Sequence, residues 1–237
     1  MLSSLKFKDN IIINIYMDSI YLSLTTRPER LSSEHFKKVY NSLLNQTLPF
    51  TKLIINLSIK EFTYDIPQYL YTENVVLNET DICGPCTKLI GSIDIIPENS
   101  VVIILDDDIV MRNNFIRSLY DSYLINQNKV SSHFTSISKN NKYTEVAGYG
   151  GYIFNINILR NIKQFYYTMP SCCIKIDDTW ISWCINKLDV SVVNTIETDP
   201  FNNILDAPNT DPHPDWYELC KHTNRDDLIN QMFETLS

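Results

Sequence analysis

The run Val101-Val102-Ile103-Ile104-Leu105-Asp106-Asp107-Asp108 constrains this chain more than any other segment. Five consecutive aliphatic residues make a strand buried on both faces, as found inside a parallel or mixed sheet. Three carboxylates follow at once. They repel one another and resist desolvation, so folding alone does not favour them at the end of a buried strand. A divalent cation removes the conflict. Carboxylate oxygens suit Mg²⁺ and Mn²⁺, and those ions commonly bridge a protein to the phosphates of a substrate. The carboxyl ends of strands in open α/β sheets are also where ligands bind. The alternative is a solvated acidic turn that caps a helix starting near Asn113.

Composition narrows the partners. A chain of 237 residues, 44% hydrophobic, suits one large globular domain. The net charge of -8 argues against a nucleic-acid binder, which would carry a basic face. A nucleotide remains possible, because a metal and a few local cations can carry its phosphates. The N-terminus has no secretory signal pattern. The apolar stretch from Ile11 to Leu24 is interrupted by Asn14 and Asp18 and is too short for a membrane span. A cytoplasmic enzyme without a membrane span is expected, in the host cytoplasm if the source is viral; a module of a longer polypeptide is the alternative. The spacing Cys83-x-x-Cys86 and the adjacent Cys172-Cys173 can be read as a zinc site, but vicinal cysteines ligate one metal awkwardly. Free, mostly buried thiols in a reducing compartment are expected instead.

Along the chain, strand and helix patterns alternate, which predicts an α/β layer architecture. Strands are expected at Ile11–Ile15, Ile20–Leu24, Lys52–Leu57, Val75–Leu77, Val101–Leu105, Ser131–Ser138 and Val190–Val193. Helices are expected over Glu34–Asn45, Pro85–Ile96, Asn114–Gln127, Asn157–Tyr167, Thr179–Lys187 and Arg225–Leu236. The first of these carries Phe36, Val39, Tyr40, Leu43 and Leu44 on one side, with Ser32 or Ser33 as cap. No internal repeat or long linker is visible. A single domain over 1–237 is expected, with a ligand-binding half over about 11–110, a second half over about 111–200 and a tail over 201–237.

Five further constellations carry chemistry. Thr25-Thr26-Arg27-Pro28 directly follows a strand, where hydroxyls and a planar guanidinium can hold a base or phosphate; a helix-capping loop is the plainer reading. Gly84-Pro85-Cys86-Thr87-Lys88 allows a sharp turn into a helix start, an anion site completed by Lys88. Gly148-Tyr149-Gly150-Gly151-Tyr152 holds three of the chain's five glycines, suited to close backbone approach, and Tyr149 and Tyr152 can stack on a sugar face; a bulged hairpin is the alternative. Asp177-Asp178 precedes an apolar-faced helix bearing Trp180 and Trp183: a general base with an aromatic platform, or an N-cap. His213, or His222 behind it, can complete a metal shell.

Taken in order from about Ile20 to Asp189, these motifs resemble a glycosyltransferase of the GT-A fold, of the family-2-like type. The resemblance rests on Leu24-Thr25-Thr26-Arg27-Pro28, Ser42-Leu43-Leu44-Asn45-Gln46-Thr47, Gly84-Pro85-Cys86-Thr87-Lys88-Leu89, Leu105-Asp106-Asp107-Asp108 at the D-x-D position, the glycine loop, and Asp177-Asp178. It implies a Rossmann-like single domain with a central, mostly parallel sheet flanked by helices. It implies a metal-dependent, inverting transfer of a sugar from a nucleotide-sugar, by family expectation a UDP-sugar, to a hydroxyl on a glycan or protein. Asp106 and Asp108 would hold Mn²⁺ or Mg²⁺, with Asp108 the more direct ligand; the C-terminal metal His of many such enzymes has no unambiguous match, and His213 is the candidate for it. Thr25, Thr26, Arg27, Lys88, Asp106 and Asp107 would contact the donor. Tyr149, Gly150, Gly151 and Trp180 would face the acceptor. Asp178 aligns with the second acid of the family's E-D pair and is the expected base. Asp177 stands where that pair has Glu, which leaves the choice between the two open. A nucleotidyltransferase, or an inactive binding module on the same fold, are the alternatives.

Overall fold

The computed structural model describes residues 18–195, 204–206 and 224–236. The expected strand Ile11–Ile15, most of the tail, and His213 and His222 lie outside the described residues.

The sheet is built on the aliphatic strand. β4 (Val101–Ile104) is buried at every position, because both of its faces are covered. It pairs in parallel with β1 (Ile20–Thr25), which pairs in parallel with β2 (Lys52–Ser58), and β2 with β3 (Val75–Thr80). On the other side β4 runs antiparallel to β9 (Tyr152–Asn155), followed by β6 (Val130–Ser132) and β10 (Val192–Asn194), which are parallel to each other. Among the described residues this makes a seven-stranded sheet in the order β10-β6-β9-β4-β1-β2-β3. The chain winds from β1 outward to β3 and then returns to β4 on the other flank of β1. The carboxyl ends of β1 and β4 therefore sit side by side where the strand order reverses, the crevice in which doubly wound sheets bind ligands.

Strand alternation sends side chains into two cores, one on each face. Leu22, Leu24, Leu53, Ile55, Val101 and Ile103 pack against α2 (Glu34–Leu44) and α4 (Phe115–Ile125) through Phe36, Leu43, Phe115 and Leu119. On the opposite face Ile54, Val102, Ile104 and Phe154 meet α7 (Asp177–Lys187) and α8 (Arg225–Leu236) through Trp180, Ile181, Ile229 and Met232. The result is the expected three-layer α/β arrangement. Short helices α1 (Pro28–Leu31), α3 (Thr87–Ile90), α5 (Ile156–Leu159) and α6 (Lys163–Tyr166) complete the layers. Minor strands β5 (Val110–Met111), β7 (Thr135–Ile137), β8 (Thr144–Val146) and β11 (Ile204–Asp206) form two small antiparallel pairs, β5 with β11 and β7 with β8.

Ser33 caps α2 by accepting the Phe36 N–H at 3.0 Å, as its position before the apolar periodicity predicts. Leu44, expected on the buried side, is instead exposed at the helix end. The helix expected over Pro85–Ile96 shrinks to the single turn of α3 for a tertiary reason. Ser23 Oγ donates to the Lys88 carbonyl at 2.6 Å and Asn78 Nδ2 to the Gly91 carbonyl at 2.9 Å. Side chains from β1 and β3 thus take carbonyls that a continuing helix would use. The segment expected as one strand over Ser131–Ser138 divides into β6 and β7 at His133-Phe134, where the chain leaves the sheet. The expected helix Asn157–Tyr167 is two single turns, α5 and α6, joined by a 3₁₀ turn at Arg160–Ile162. The described cysteines are free thiols, and no group of metal-ligating side chains gathers at them among the described residues.

Candidate active site

The loop that closes β1 spends its hydroxyls on backbone. Thr25 Oγ1 donates to the Asn56 carbonyl at 3.0 Å, and Thr26 Oγ1 to the Arg27 carbonyl at 3.4 Å. Tyr64, from the loop after β2, donates its hydroxyl to the Thr26 carbonyl at 3.0 Å. The Arg27 guanidinium stands over the Phe62 ring, 5.3 Å from its centroid, a cation–π contact that orients its planar fork. Thr25, Thr26 and Arg27 therefore form a braced rim at the strand end, next to the acidic turn after β4.

The centre of the crevice is Lys88. α3 delivers its side chain into the interior, where Nζ lies 2.8 Å from Asp106 Oδ1, 2.9 Å from Asp177 Oδ2 and 3.0 Å from Asp178 Oδ1. The Asp177 contact is one of charge without hydrogen-bond geometry. Burial alone would lower the Lys88 pKa, but Asp106, Asp177 and Asp178 hold it well above its ordinary value. Burial, opposed by Lys88 and reinforced by the neighbouring carboxylates, raises the Asp106 carboxyl. The same balance pushes Asp177 up to about 6. Tyr152, expected to stack on a sugar, is instead wholly buried on β9, where its place in the sheet turns the ring into the core and brings its hydroxyl into the field of these four charges. Lys88 is expected from the sequence to complete an anion site at a helix start. As placed, its ammonium already serves three carboxylates.

Asp177 and Asp178 begin α7 and do not cap it. The cap position is Ile176, which makes no side-chain cap bond. Both carboxylates turn to Lys88, and both gain from the helix dipole. Asp178 is pinned from its second oxygen as well, because the Gly148 N–H donates to Oδ2 at 2.9 Å. Gly148 in turn accepts the Asp106 N–H at 3.2 Å. A Cβ at Gly148 would collide with Asp106 Oδ1 and Lys88 Nζ. The glycine is there because backbone must pass against an ion pair. Gly150 leaves room for the Phe134 ring, and Gly151 combines a φ of +70° with contact against Phe115. Tyr149 is partly exposed and packs on Phe134 with ring centroids 4.2 Å apart.

Trp180, expected to offer an aromatic face to an acceptor, is wholly buried in the core beneath α7. It lies on the face of the helix turned toward the sheet, so its burial stabilises the fold and presents no ring to a ligand. Trp183 packs edge-on against Phe165, with Lys187 over its ring.

The acidic turn is held by residues that motif reading passed over. Arg30, on α1, reaches Asp107 Oδ1 at 2.6 Å and Asp108 Oδ2 at 3.3 Å. His35 Nε2 donates to the Asp108 carbonyl at 2.7 Å. Glu145, on β8, is a further carboxylate whose pKa is raised by burial against the pull of Arg225, with Asp178 adding to the rise. The second arginine in Arg27-Pro28-Glu29-Arg30 was the available signal for the first of these. Nothing local marked His35 or Glu145. Among the described residues no group of three ligating side chains stands ready for a metal ion. Asp106 and Asp108 nevertheless offer hard carboxylate oxygens on a partly exposed turn. That donor set fits Mg²⁺ or Mn²⁺, which commonly take one or two carboxylates and complete their shell with water and phosphate.

No protein-family model and no curated protein sequence matches the chain. Solved structures do. A 4-diphosphocytidyl-2C-methyl-D-erythritol synthase from Anaerococcus prevotii aligns with a TM-score of 0.50 at 11% identity, over 75% of this chain and 89% of that one. A candidate glucose-1-phosphate thymidylyltransferase from Bacillus anthracis aligns at 0.47 and 15%, over 76% and 87%. TarS from S. aureus aligns at 0.43 and 14%, over 60% and 48%. The likeness to the first is one of fold: a Rossmann-like sheet flanked by helices. No helix among the described residues is long and apolar enough to cross a membrane.

Proposed function

We propose that this chain is a metal-dependent inverting glycosyltransferase that moves a sugar from a nucleotide-sugar, a UDP-sugar by resemblance, to a hydroxyl of a glycan or protein. One observation carries the reading. The Lys88 ammonium ties Asp106, in the acidic turn after β4, to Asp177 and Asp178, at the start of α7, in the crevice where the strand order reverses. The carboxylates read here as metal-side and base-side thus meet at one ammonium.

In this reading Asp106 and Asp108 hold Mg²⁺ or Mn²⁺, with His213, outside the described residues, as a third ligand. When bound, the ion supplies Lewis-acid neutralisation of the departing diphosphate. Thr25, Thr26 and Arg27 line the donor end. Asp178 is the base. Its oxygens accept from Lys88 and from the Gly148 N–H, and each keeps a further lone pair for an acceptor hydroxyl. Asp177, the more enclosed of the two, is the weaker choice. The deprotonated hydroxyl attacks the anomeric carbon from the side opposite the diphosphate, which inverts the configuration. Tyr149, Gly150 and Gly151 border the acceptor side.

A second reading, nucleotidyl transfer, is favoured by the fold shared with the diphosphocytidyl synthase. Transfer to a phosphate has no hydroxyl to deprotonate, so it leaves the pinned Asp178 without a role. Product analysis separates the readings. Incubation with UDP-sugars, Mn²⁺ and a panel of acceptors is expected to release UDP. Release of pyrophosphate from a nucleoside triphosphate and a sugar phosphate would establish the second reading. Neither product, with no nucleotide bound, would leave an inactive module.

A further inference from the structure

We infer that Arg30 and Asp107 form a latch that sets the acidic turn, so that the middle carboxylate positions its two neighbours and does not itself meet the donor. The inference rests on the metal-and-donor reading above.

The three aspartates are not equivalent. Asp106 and Asp108 keep 29% and 27% of their side chains exposed, whereas Asp107 keeps 6%. Enclosing a carboxylate between two like charges is costly unless a counter-charge stands beside it. Arg30 supplies it at 2.6 Å, across 77 residues of sequence. Arginine suits the task, being permanently charged, and one nitrogen, Nη1, meets both acids. Its reach to Asp108 Oδ2 at 3.3 Å extends the grip to the outer acid.

Two backbone bonds complete the clamp: Asp106 N–H to the Gly148 carbonyl at 3.2 Å, and His35 to the Asp108 carbonyl at 2.7 Å. The turn is therefore held at each of its three residues, and the middle side chain is the most enclosed of the three. Arg30 and Asp107 act through Asp106 and Asp108; they are positioning residues.

The test is Mn²⁺ affinity in the presence of UDP, read by electron paramagnetic resonance, with circular dichroism confirming the fold of each variant. Arg30→Ala and Asp107→Ala are each expected to weaken Mn²⁺ binding about tenfold, the scale of groups that orient metal ligands. The double variant is expected to lose no more than either single one, since each breaks the same contact. Asp107→Asn keeps an acceptor for Arg30 and is expected to stay near wild type, as Asp108→Asn loses binding. If Arg30→Ala does not fold, Arg30→Lys and Asp107→Asn decide the matter: a loss in Asp107→Asn as complete as in Asp108→Asn, with Arg30→Lys unchanged, would make Asp107 a direct ligand and overturn the latch. Additive losses, or no loss in either alanine variant, would overturn it too. A wild-type chain that binds no Mn²⁺ with UDP would sink the donor reading itself, and the latch with it.

Discussion

Lys88 Nζ and Asp178 Oδ1 lie 3.0 Å apart, although 90 residues separate them in sequence. The contact joins a one-turn helix behind β3 to the first turn of α7, and with Asp106 it fixes the floor of the crevice. One ammonium balances three carboxylates, and most of what can be tested about this site follows from that imbalance.

Lys88→Met would strand Asp106, Asp177 and Asp178 without their shared cation. Removing one partner of a buried charge cluster costs on the order of 3 kcal/mol. Urea unfolding is expected to show a lower midpoint for Lys88→Met, with Lys88→Arg in between. An unchanged midpoint would mean that the ammonium contributes nothing to the fold.

The Asp177 carboxyl gives a pH signature. Its pKa is pushed up to about 6 by burial and by Asp178 and Asp106, against the opposing pull of Lys88. Because the folded state holds this proton more tightly than the unfolded chain, the group favours folding below the unfolded carboxylate range. That contribution is lost as the pH rises through about 6. Asp177→Asn removes the burden of the charged form. It is expected to raise the melting temperature at pH 7.5, with a gain that fades toward pH 4; a lower melting temperature at pH 7.5 would contradict the argument.

Gly148→Ala would force a methyl group into the Asp106–Lys88 pair. The fold, set by the two cores, is expected to survive. Turnover is expected to fall roughly a hundredfold, the scale of a displacement of about 1 Å among reacting groups. Wild-type kinetics in this variant would show that the close approach is incidental.

Beneath Lys88, Asn56 donates to Ser23 Oγ at 3.0 Å, to Ser92 Oγ at 2.9 Å and to the Leu24 carbonyl at 2.8 Å, and accepts from Asn78 at 2.8 Å. All of this is at least partly buried. Asn56→Leu keeps the volume but leaves those partners unsatisfied, at about 3 kcal/mol. Differential scanning calorimetry is expected to show the loss; a neutral substitution would mean the network relaxes onto itself.

What the sequence disclosed depended on range. β1, α2, β4, α4 and α8 were legible because their periods and caps are local: Ser33 before Phe36, and five aliphatics before Asp106. α3 was misread because its length is set by Ser23 and Asn78, which lie on other strands. Trp180 looked like a platform because a residue's type does not say which face of its helix meets a sheet. The spacing of about 70 residues leaves room for Asp106 and Asp177-Asp178 to meet at one cleft, but nothing in it says that Lys88 joins them. Arg30 lies in the same segment as Arg27, but its role is not legible there because its partner Asp107 is 77 residues away.

The most direct test of the account is a thermal-shift titration of wild type and Asp108→Ala with UDP and a panel of UDP-sugars, with and without Mn²⁺. A metal-dependent upward shift is expected for one UDP-sugar in the wild type, and no shift in Asp108→Ala, whose fold stays intact. Shifts that are equal in both proteins, or no shift with any nucleotide, would contradict a metal-held donor at this turn.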